Sequence, residues 1–82
     1  MWTKTLTVKF QKRLVPVMVW LSDTKEDNEQ IVTMQSMLNE YFLIEQIQFA
    51  DRDAAYDFIK HCSVSLAQSF LIRKAYSEGA LQ

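Results

Sequence analysis

The sequence predicts a small two-layer α+β domain with the element order ββαβα(α) and with helices on one face of the sheet. Three observations support this class: period-two alternation near the N terminus, a continuous apolar run after it, and helical spacing of apolar residues further on. The sheet is expected to contain an N-terminal antiparallel hairpin and a third strand. Because 82 residues leave room for one hydrophobic core, residues 1–82 are expected to form a single domain.

The first two strands are predicted to form the hairpin. Residues 3–10 alternate between polar and apolar side chains, as a half-buried strand does. Residues 14–21 are apolar throughout, which is typical of a strand covered on both faces. The polar break at 11–13 lacks the glycine or asparagine that tight primed turns favour. An even number of loop residues would place Phe10 with the valines of the second strand, and an odd number would reverse the two faces.

The middle of the chain is predicted to contain a helix and then a strand. Thr24, followed by Asp27 three residues later, resembles a loose capping box at a helix start. Apolar residues at steps of three and four would give this helix one buried stripe, formed by Ile31, Met34, Leu38, Tyr41 and Phe42. Renewed alternation over residues 44–49 predicts the third strand.

The C-terminal third is predicted to be helical. Asp51 and Asp53 are suitable caps for a second helix, which would bury Ala55, Ile59 and their neighbours on one face. Residues 65–77 are rich in helix formers and are followed by Gly79, a suitable residue for a helix C-terminus. The alternative is a fourth strand over residues 70–76, and the helix is favoured.

The charges are distributed unevenly along the chain. Residues 1–22 carry four bases and no acid, residues 23–57 carry nine acids and two bases, and residues 58–82 have a net charge of +2. The formal net charge of −1 therefore conceals a basic N-terminal end and an acidic middle. Such a pattern points to steering and partner choice, not to a particular reaction.

The residue types argue against most catalytic and metal-dependent chemistry. His61 and Cys62 are the only members of their types, and adjacent side chains on a helix do not face each other. They cannot supply a zinc site by themselves. Asp51 and Asp53 are better explained as helix caps than as cation ligands. Gly79 is the only glycine, so no glycine-rich phosphate loop is present. We expect no enzyme, no catalytic residue, no metal and no cofactor.

The cysteine count and the apolar run indicate where the protein resides. A single cysteine cannot form an intramolecular disulfide, which favours a reducing cytoplasm. The apolar run over residues 14–21 follows two bases and resembles part of a signal peptide, but it contains Pro16 and lacks a cleavage site. It is also far shorter than the ~20 residues that span a bilayer. A cytoplasmic protein without a membrane span is therefore expected.

The second strand carries the strongest functional signal. One of its faces is apolar beyond what a helix layer needs to cover, and such a patch on a small domain indicates an interface. Met18 and Trp20 are the predicted anchors, with Lys9, Lys12 and Arg13 steering an acidic partner. The expected function is a non-enzymatic protein-binding module of regulatory, adaptor or inhibitory type, and a homo-oligomer such as a homodimer is expected.

Other interpretations remain open at this stage. A basic partner would instead be recognised by an acidic face formed by Asp23, Glu26, Asp27 and Glu29. The basic residues and aromatic rings of the hairpin, including Phe10 and Trp20, could bind nucleic acid. The acidic middle could also imitate nucleic acid and block a basic site on another protein. In a purely structural alternative, residues 65–82 fold over the apolar face and complete the core.

Overall fold

The computed structural model describes residues 3–22 and 30–79, and these residues form one sheet and two helices. The elements, in chain order, are β1 (Thr3–Phe10), β2 (Arg13–Ser22), β3 (Gln30–Leu38), β4 (Tyr41–Phe49), α1 (Arg52–His61) and α2 (Val64–Glu78). The protein is therefore a small α+β domain, as predicted. The predicted order ββαβα(α) is wrong in the middle, because four strands precede the helices.

The four strands form an antiparallel sheet in the order β1-β2-β3-β4, so each strand pairs with its neighbour in sequence. Both helices pack on the same face of this sheet: α1 lies against β2, β3 and β4, and α2 lies against β1 and β4. We call this the inner face and the opposite one the outer face. The domain thus has two layers, with helices on one side of the sheet only.

Two hairpins place their turns at the same end of the sheet. The β1–β2 turn is formed by Gln11 and Lys12, and the β3–β4 turn by Asn39 and Glu40. All four residues have positive φ angles, between 50° and 70°, as a type I′ turn requires at both central positions. The first loop therefore has an even number of residues. The conditional prediction that Phe10 joins the valine face is confirmed, since Phe10 is buried on the inner face.

Strand β3 replaces the part of the predicted first helix that the structure describes. The stripe assigned to that helix contains Met34 and Leu38, which also belong to a period-two series with Val32. β-branched residues at the start of the segment favour a strand, and the turn residue Asn39 tolerates a positive φ. The helix prediction was wrong because residues four apart share a face in a strand as well. The predicted cap at Thr24 lies outside the described residues.

The two helices begin and end as their capping residues predict. Asp51 accepts a hydrogen bond from the Ala54 backbone N–H at 2.8 Å, and Ser63 caps α2 in the same manner at 3.2 Å. Gly79 ends α2 with a φ of 72°, in the left-handed region. The favoured helical prediction for the C-terminal segment is confirmed, and the fourth strand at 70–76 is excluded.

The hydrophobic core lies between the helices and the inner face. Phe70, Met34, Leu43, Ile59 and Leu71 are among its largest side chains, each with at most 1% of its surface exposed. Helix α2 contributes to this core through its buried face, so the described part of the C-terminal segment packs against the inner face and leaves the outer face uncovered. The alternative in which this segment covers the apolar outer side of β2 is wrong for residues up to 79.

Lys4 joins the sheet to the end of helix α1. It is the inner-face residue of β1 nearest the N terminus, and its Nζ donates hydrogen bonds to the carbonyl oxygens of Ile59, Lys60 and Cys62 at 3.4, 3.1 and 2.7 Å. A cation at this position satisfies carbonyl groups that a helix C-terminus leaves unpaired and complements the helix dipole. One of the four N-terminal bases therefore has a structural role and does not face a partner.

Candidate interaction surface on the outer face of the sheet

The outer face is defined by the strand register. The side chains of cross-strand partners point to the same side of a sheet. One row of such partners crosses all four strands and consists of Thr3, Trp20, Thr33 and Gln46. In the part of the sheet that the structure describes, the outer face consists of Thr3, Thr5, Thr7, Lys9, Leu14, Pro16, Met18, Trp20, Ser22, Ile31, Thr33, Gln35, Met37, Phe42, Ile44, Gln46 and Gln48. No described helix covers it.

The outer face carries almost no charge. Among the described residues of this face, Lys9, at the β1 edge near the hairpin turns, is the only charged one, and the other polar positions are threonine, serine and glutamine. In an antiparallel sheet with one exposed face, each strand alternates between apolar side chains that point to the core and polar side chains that point to solvent. Charged residues are common on the solvent side. A nearly neutral exposed face of this extent is the composition expected at the centre of an interface, where charged residues are depleted.

Apolar residues gather on the half of the outer face closest to the two turns. The apolar patch consists of Leu14, Pro16, Met18, Met37, Phe42 and Ile44. Leu14 is 73% exposed, Met37 62% and Phe42 52%, while Met18 and Ile44 are about 40% exposed. At about 190 Å² for a fully exposed residue of this size, these five expose about 500 Å². That value is near the upper end of the few hundred Å² found for the largest patch on ordinary monomers.

A shallow groove of about 210 Å³ runs through the apolar patch between β2 and the β3–β4 hairpin. Pro16 and Met18 line one side, and Met37 and Phe42 line the other. The β2–β3 ladder extends from Ser22 to Met18 and does not reach Pro16, whose missing N–H cannot contribute to it. The Ser36 hydroxyl instead donates a hydrogen bond to the Pro16 carbonyl oxygen at 2.8 Å.

Trp20 occupies the other, more polar half of the outer face. Its neighbours across the strands are Thr3 and Thr33, and Trp20 itself is half-buried. Thr33 is only 1% exposed, and its hydroxyl oxygen lies 2.6 Å from that of Ser22, within hydrogen-bonding distance. This half of the face is therefore packed and hydrogen-bonded, whereas the apolar patch presents side chains with no described covering layer.

The two hairpin turns form a polar edge beside the apolar patch. Arg13 donates a hydrogen bond from its Nη2 to the Asn39 Oδ1, which joins the turns. Gln11, Arg13, Asn39 and Glu40 line an open depression of about 540 Å³ between them. One turn carries a base, Lys12, and the other an acid, Glu40, so opposite charges stand at the two sides of this end of the sheet.

The structure brings together only some of the predicted site residues. Met18 and Trp20 lie on the outer face, the side expected for them when the hairpin loop has an even number of residues, and Lys9 lies there too. Lys12 is in the turn at the end of that face. Arg13 points to the inner side, since it pairs with Phe10, and it bonds to Asn39. The acidic alternative at residues 23–29 lies outside the described residues.

Half of the apolar patch was not identified from the sequence. Met37, Phe42 and Ile44 come from the β3–β4 hairpin, and two of them lie within the segment that was assigned to a helix. Asn39 was the available signal: an asparagine at a two-residue turn between alternating segments predicts a hairpin. That register places Phe42 and Ile44 on the same side as Met18.

The structure places His61 at the end of α1 and Cys62 at its C-cap. The described residues include no group of three or more His, Cys, Asp or Glu side chains close enough to hold a metal ion. The Nδ1 of His61 lies 2.9 Å from the Asp57 backbone oxygen within its own helix. Cys62 is buried, and its burial raises the pKa of the thiol, while the nearby Lys4 lowers it to a smaller extent.

On the outer face, Lys9 is the one basic side chain among the described residues, and Phe42 is an exposed aromatic side chain there. Lys4 is bonded to helix carbonyls, and Phe10 is buried in the core at 8% exposure. Nucleic-acid binding by a sheet needs aromatic side chains that stack on bases beside a basic groove. Lys4 and Phe10 are therefore not available for this role. Within residues 3–22 and 30–79, no helix is long and apolar enough to cross a membrane.

Comparison of the chain with protein-family models, with curated proteins and with solved structures gives no match. The function must therefore be argued from the surface itself.

Proposed function

We propose that this protein is a non-enzymatic protein-binding module that acts through the outer face of its sheet. The observation that carries the proposal is the apolar patch, which is exposed, contiguous across three strands and almost free of charge. Its anchors would be Met18 and Trp20, as the sequence suggested, together with Met37 and Phe42. Lys9 and Lys12 stand at the edge of this surface, where charged residues affect association rate more than affinity.

The size of the patch supports a protein as the partner. Covering about 500 Å² at 25 cal/mol per Å² gives a gross gain of about 12 kcal/mol. Association costs on the order of 4–15 kcal/mol in lost freedom, so the patch alone can offset much of that cost. The groove of about 210 Å³ is smaller than the ~300–1,000 Å³ typical of small-molecule sites, and it is shallow. A broad protein surface fits this geometry better than a small ligand.

A photo-crosslinking experiment tests this proposal in the source cells. Benzoylphenylalanine in place of Met37 should give covalent adducts with a protein, because that side chain is 62% exposed and lies within the apolar patch. The same group in place of Gln68, exposed on α2 on the opposite side of the domain, is the matched control. Adducts from position 37 and none from position 68 would support the proposal. Equal labelling at both positions, or none at position 37, would contradict it.

Nucleic acid is the alternative that this experiment also separates. Binding to phosphates should weaken steeply with salt, because each neutralised phosphate releases counterions. Crosslinks from position 37 to nucleic acid in place of protein, lost on raising the salt concentration, would replace the proposed partner class. A protein contact centred on apolar side chains should depend on salt only weakly.

A further inference from the structure

We infer that the outer face is occupied by a second copy of this chain, related by a two-fold axis that runs along the strands between β2 and β3. This inference rests on the proposed function and specifies its partner. The two sheets would pack face to face as an aligned sandwich, roughly 10 Å apart, with β1 of each copy over β4 of the other.

The charge distribution is the first argument for a second copy. An isologous interface places each surface against itself, so a strongly charged face repels its own copy. Within residues 3–22 and 30–79, the outer face has a single charged residue, Lys9, and it lies at a corner of the sheet. A partner of opposite charge would have almost nothing to recognise there, whereas an equally neutral and apolar surface is complementary to it. The face is therefore suited to its own copy.

The area is the second argument. A standard interface buries roughly 800 Å² on each partner. The five exposed apolar residues supply about 500 Å² of this. The exposed polar residues of the same face add to it; they are Thr3, Thr5, Thr7, Gln46 and Gln48. A second copy covers all four strands at once. A peptide or a single helix lying in the groove would cover only part of the face and leave exposed apolar side chains on either side.

The hairpin turns select the direction of the axis. Lys12 is in the β1–β2 turn and Glu40 in the β3–β4 turn, at the same end of the sheet. A two-fold axis along the strands exchanges these turns, so Lys12 of each copy faces Glu40 of the other. An in-plane axis across the strands through the middle of the sheet would lay the apolar patch over the polar half around Thr33. The first arrangement provides both apolar contact and two opposite-charge pairs at the rim.

Light scattering on the purified protein over a concentration series tests the occupant. The wild type should reach twice the chain mass of 9.6 kDa. Phe42→Glu should remain at the chain mass, since it places a charge in the apolar patch, while Gln68→Glu on the helix side should behave as wild type. A wild type that stays monomeric at millimolar concentration would overturn the inference. A dimer unaffected by Phe42→Glu would overturn it too, because the contact would then lie elsewhere.

Charge exchange at the turns tests the axis. Lys12→Glu should raise the dissociation constant about tenfold at low salt, since two rim pairs become like-charge pairs. The double variant Lys12→Glu with Glu40→Lys restores opposite charges across the axis and should return to within about twofold of wild type. Equal affinity for Lys12→Glu and wild type would overturn this axis.

The crosslinking experiment keeps the failure of this inference distinct from that of the proposed function. Adducts from position 37 that contain only this chain support the second copy. Adducts with a different protein, together with a monomeric purified chain, overturn the second copy while they leave the protein-binding function standing. The absence of protein adducts from position 37 contradicts both.

Discussion

Replacement of Lys4 by methionine should lower the free energy of unfolding by about 2 kcal/mol, because hydrogen bonds to charged groups contribute about 1.5–3 kcal/mol. The Lys4 Nζ donates to three carbonyl oxygens at the end of α1, the shortest of these bonds being 2.7 Å. The favourable position of a cation at a helix C-terminus adds roughly 0.3–1 kcal/mol. Partial exposure of Lys4 to water weakens both the hydrogen bonds and the interaction with the helix dipole. The expected loss of about 2 kcal/mol is therefore near the lower end of the summed range.

Urea denaturation followed by circular dichroism measures this loss. Lys9→Met is the matched control, since it makes the same chemical change on the same strand but on the outer face. Its free energy of unfolding should change by less than about 0.5 kcal/mol. For a domain of this size, the Lys4 variant should melt about 10 °C below wild type. A Lys4 variant as stable as the Lys9 variant would refute the proposed link between β1 and α1.

Three further changes test other parts of the structure. In the monomeric Phe42→Glu background, where Lys12 has no contact with a second copy, Lys12→Gly should raise the free energy of unfolding by about 1 kcal/mol, because it relieves a positive φ of 65° in a non-glycine residue; destabilisation of that background in urea melts would contradict the turn assignment. Burial raises the pKa of the Cys62 thiol, so the folded state retains a proton that the unfolded chain loses, and stability should fall as the pH rises above about 8.5. The Cys62→Ala variant should lose less stability than wild type over this pH range. If the two proteins had identical pH profiles of stability, the thiol would not be the cause of the decline. Trp20→Ala should weaken assembly in light scattering but leave the circular dichroism spectrum unchanged, and global unfolding would show that Trp20 belongs to the core.

The parts of the fold that were predictable are those in which local signals agree. In β1 and β2, alternation and β-branched residues point to the same structure, and the even loop then determines which side chains face the helices. Asp51 and Gly79 mark helix ends through capping chemistry that acts within a few residues. Such signals require no knowledge of the remainder of the chain.

The errors arose where a local pattern fits two structures. Met34 and Leu38 are four apart, a spacing that places side chains together both on a helix and on a strand. The first turn has Gln11 and Lys12 at positions that favour asparagine and glycine, so its local sequence did not predict a type I′ turn. In these segments strand pairing, not local preference, determines the structure.

The candidate site was only partly predictable for the same reason. Met18 and Trp20 could be assigned to an outward face because they share a strand with the buried valines. Met37 and Phe42 join them only through the register of β3 with β2 and β4, which is a long-range property. The role of Lys4 likewise depends on a helix more than 50 residues away in sequence. Sequence order alone could not separate this base from the others.

The central claim is that the outer face is covered by protein when the protein functions. Methionine side chains provide built-in probes of this claim: Met18 and Met37 stand on the outer face, whereas Met34 is 1% exposed in the core. Solvent accessibility of the methyl groups can be measured by NMR of methyl-labelled methionine with a soluble paramagnetic agent.

In the assembled protein, the relaxation enhancement of the Met18 and Met37 methyl groups should fall towards that of Met34. In the monomeric Phe42→Glu variant it should remain high. Strong enhancement at both outer-face methionines in the assembled state would contradict the account, because the assembly would then leave the outer face open to solvent.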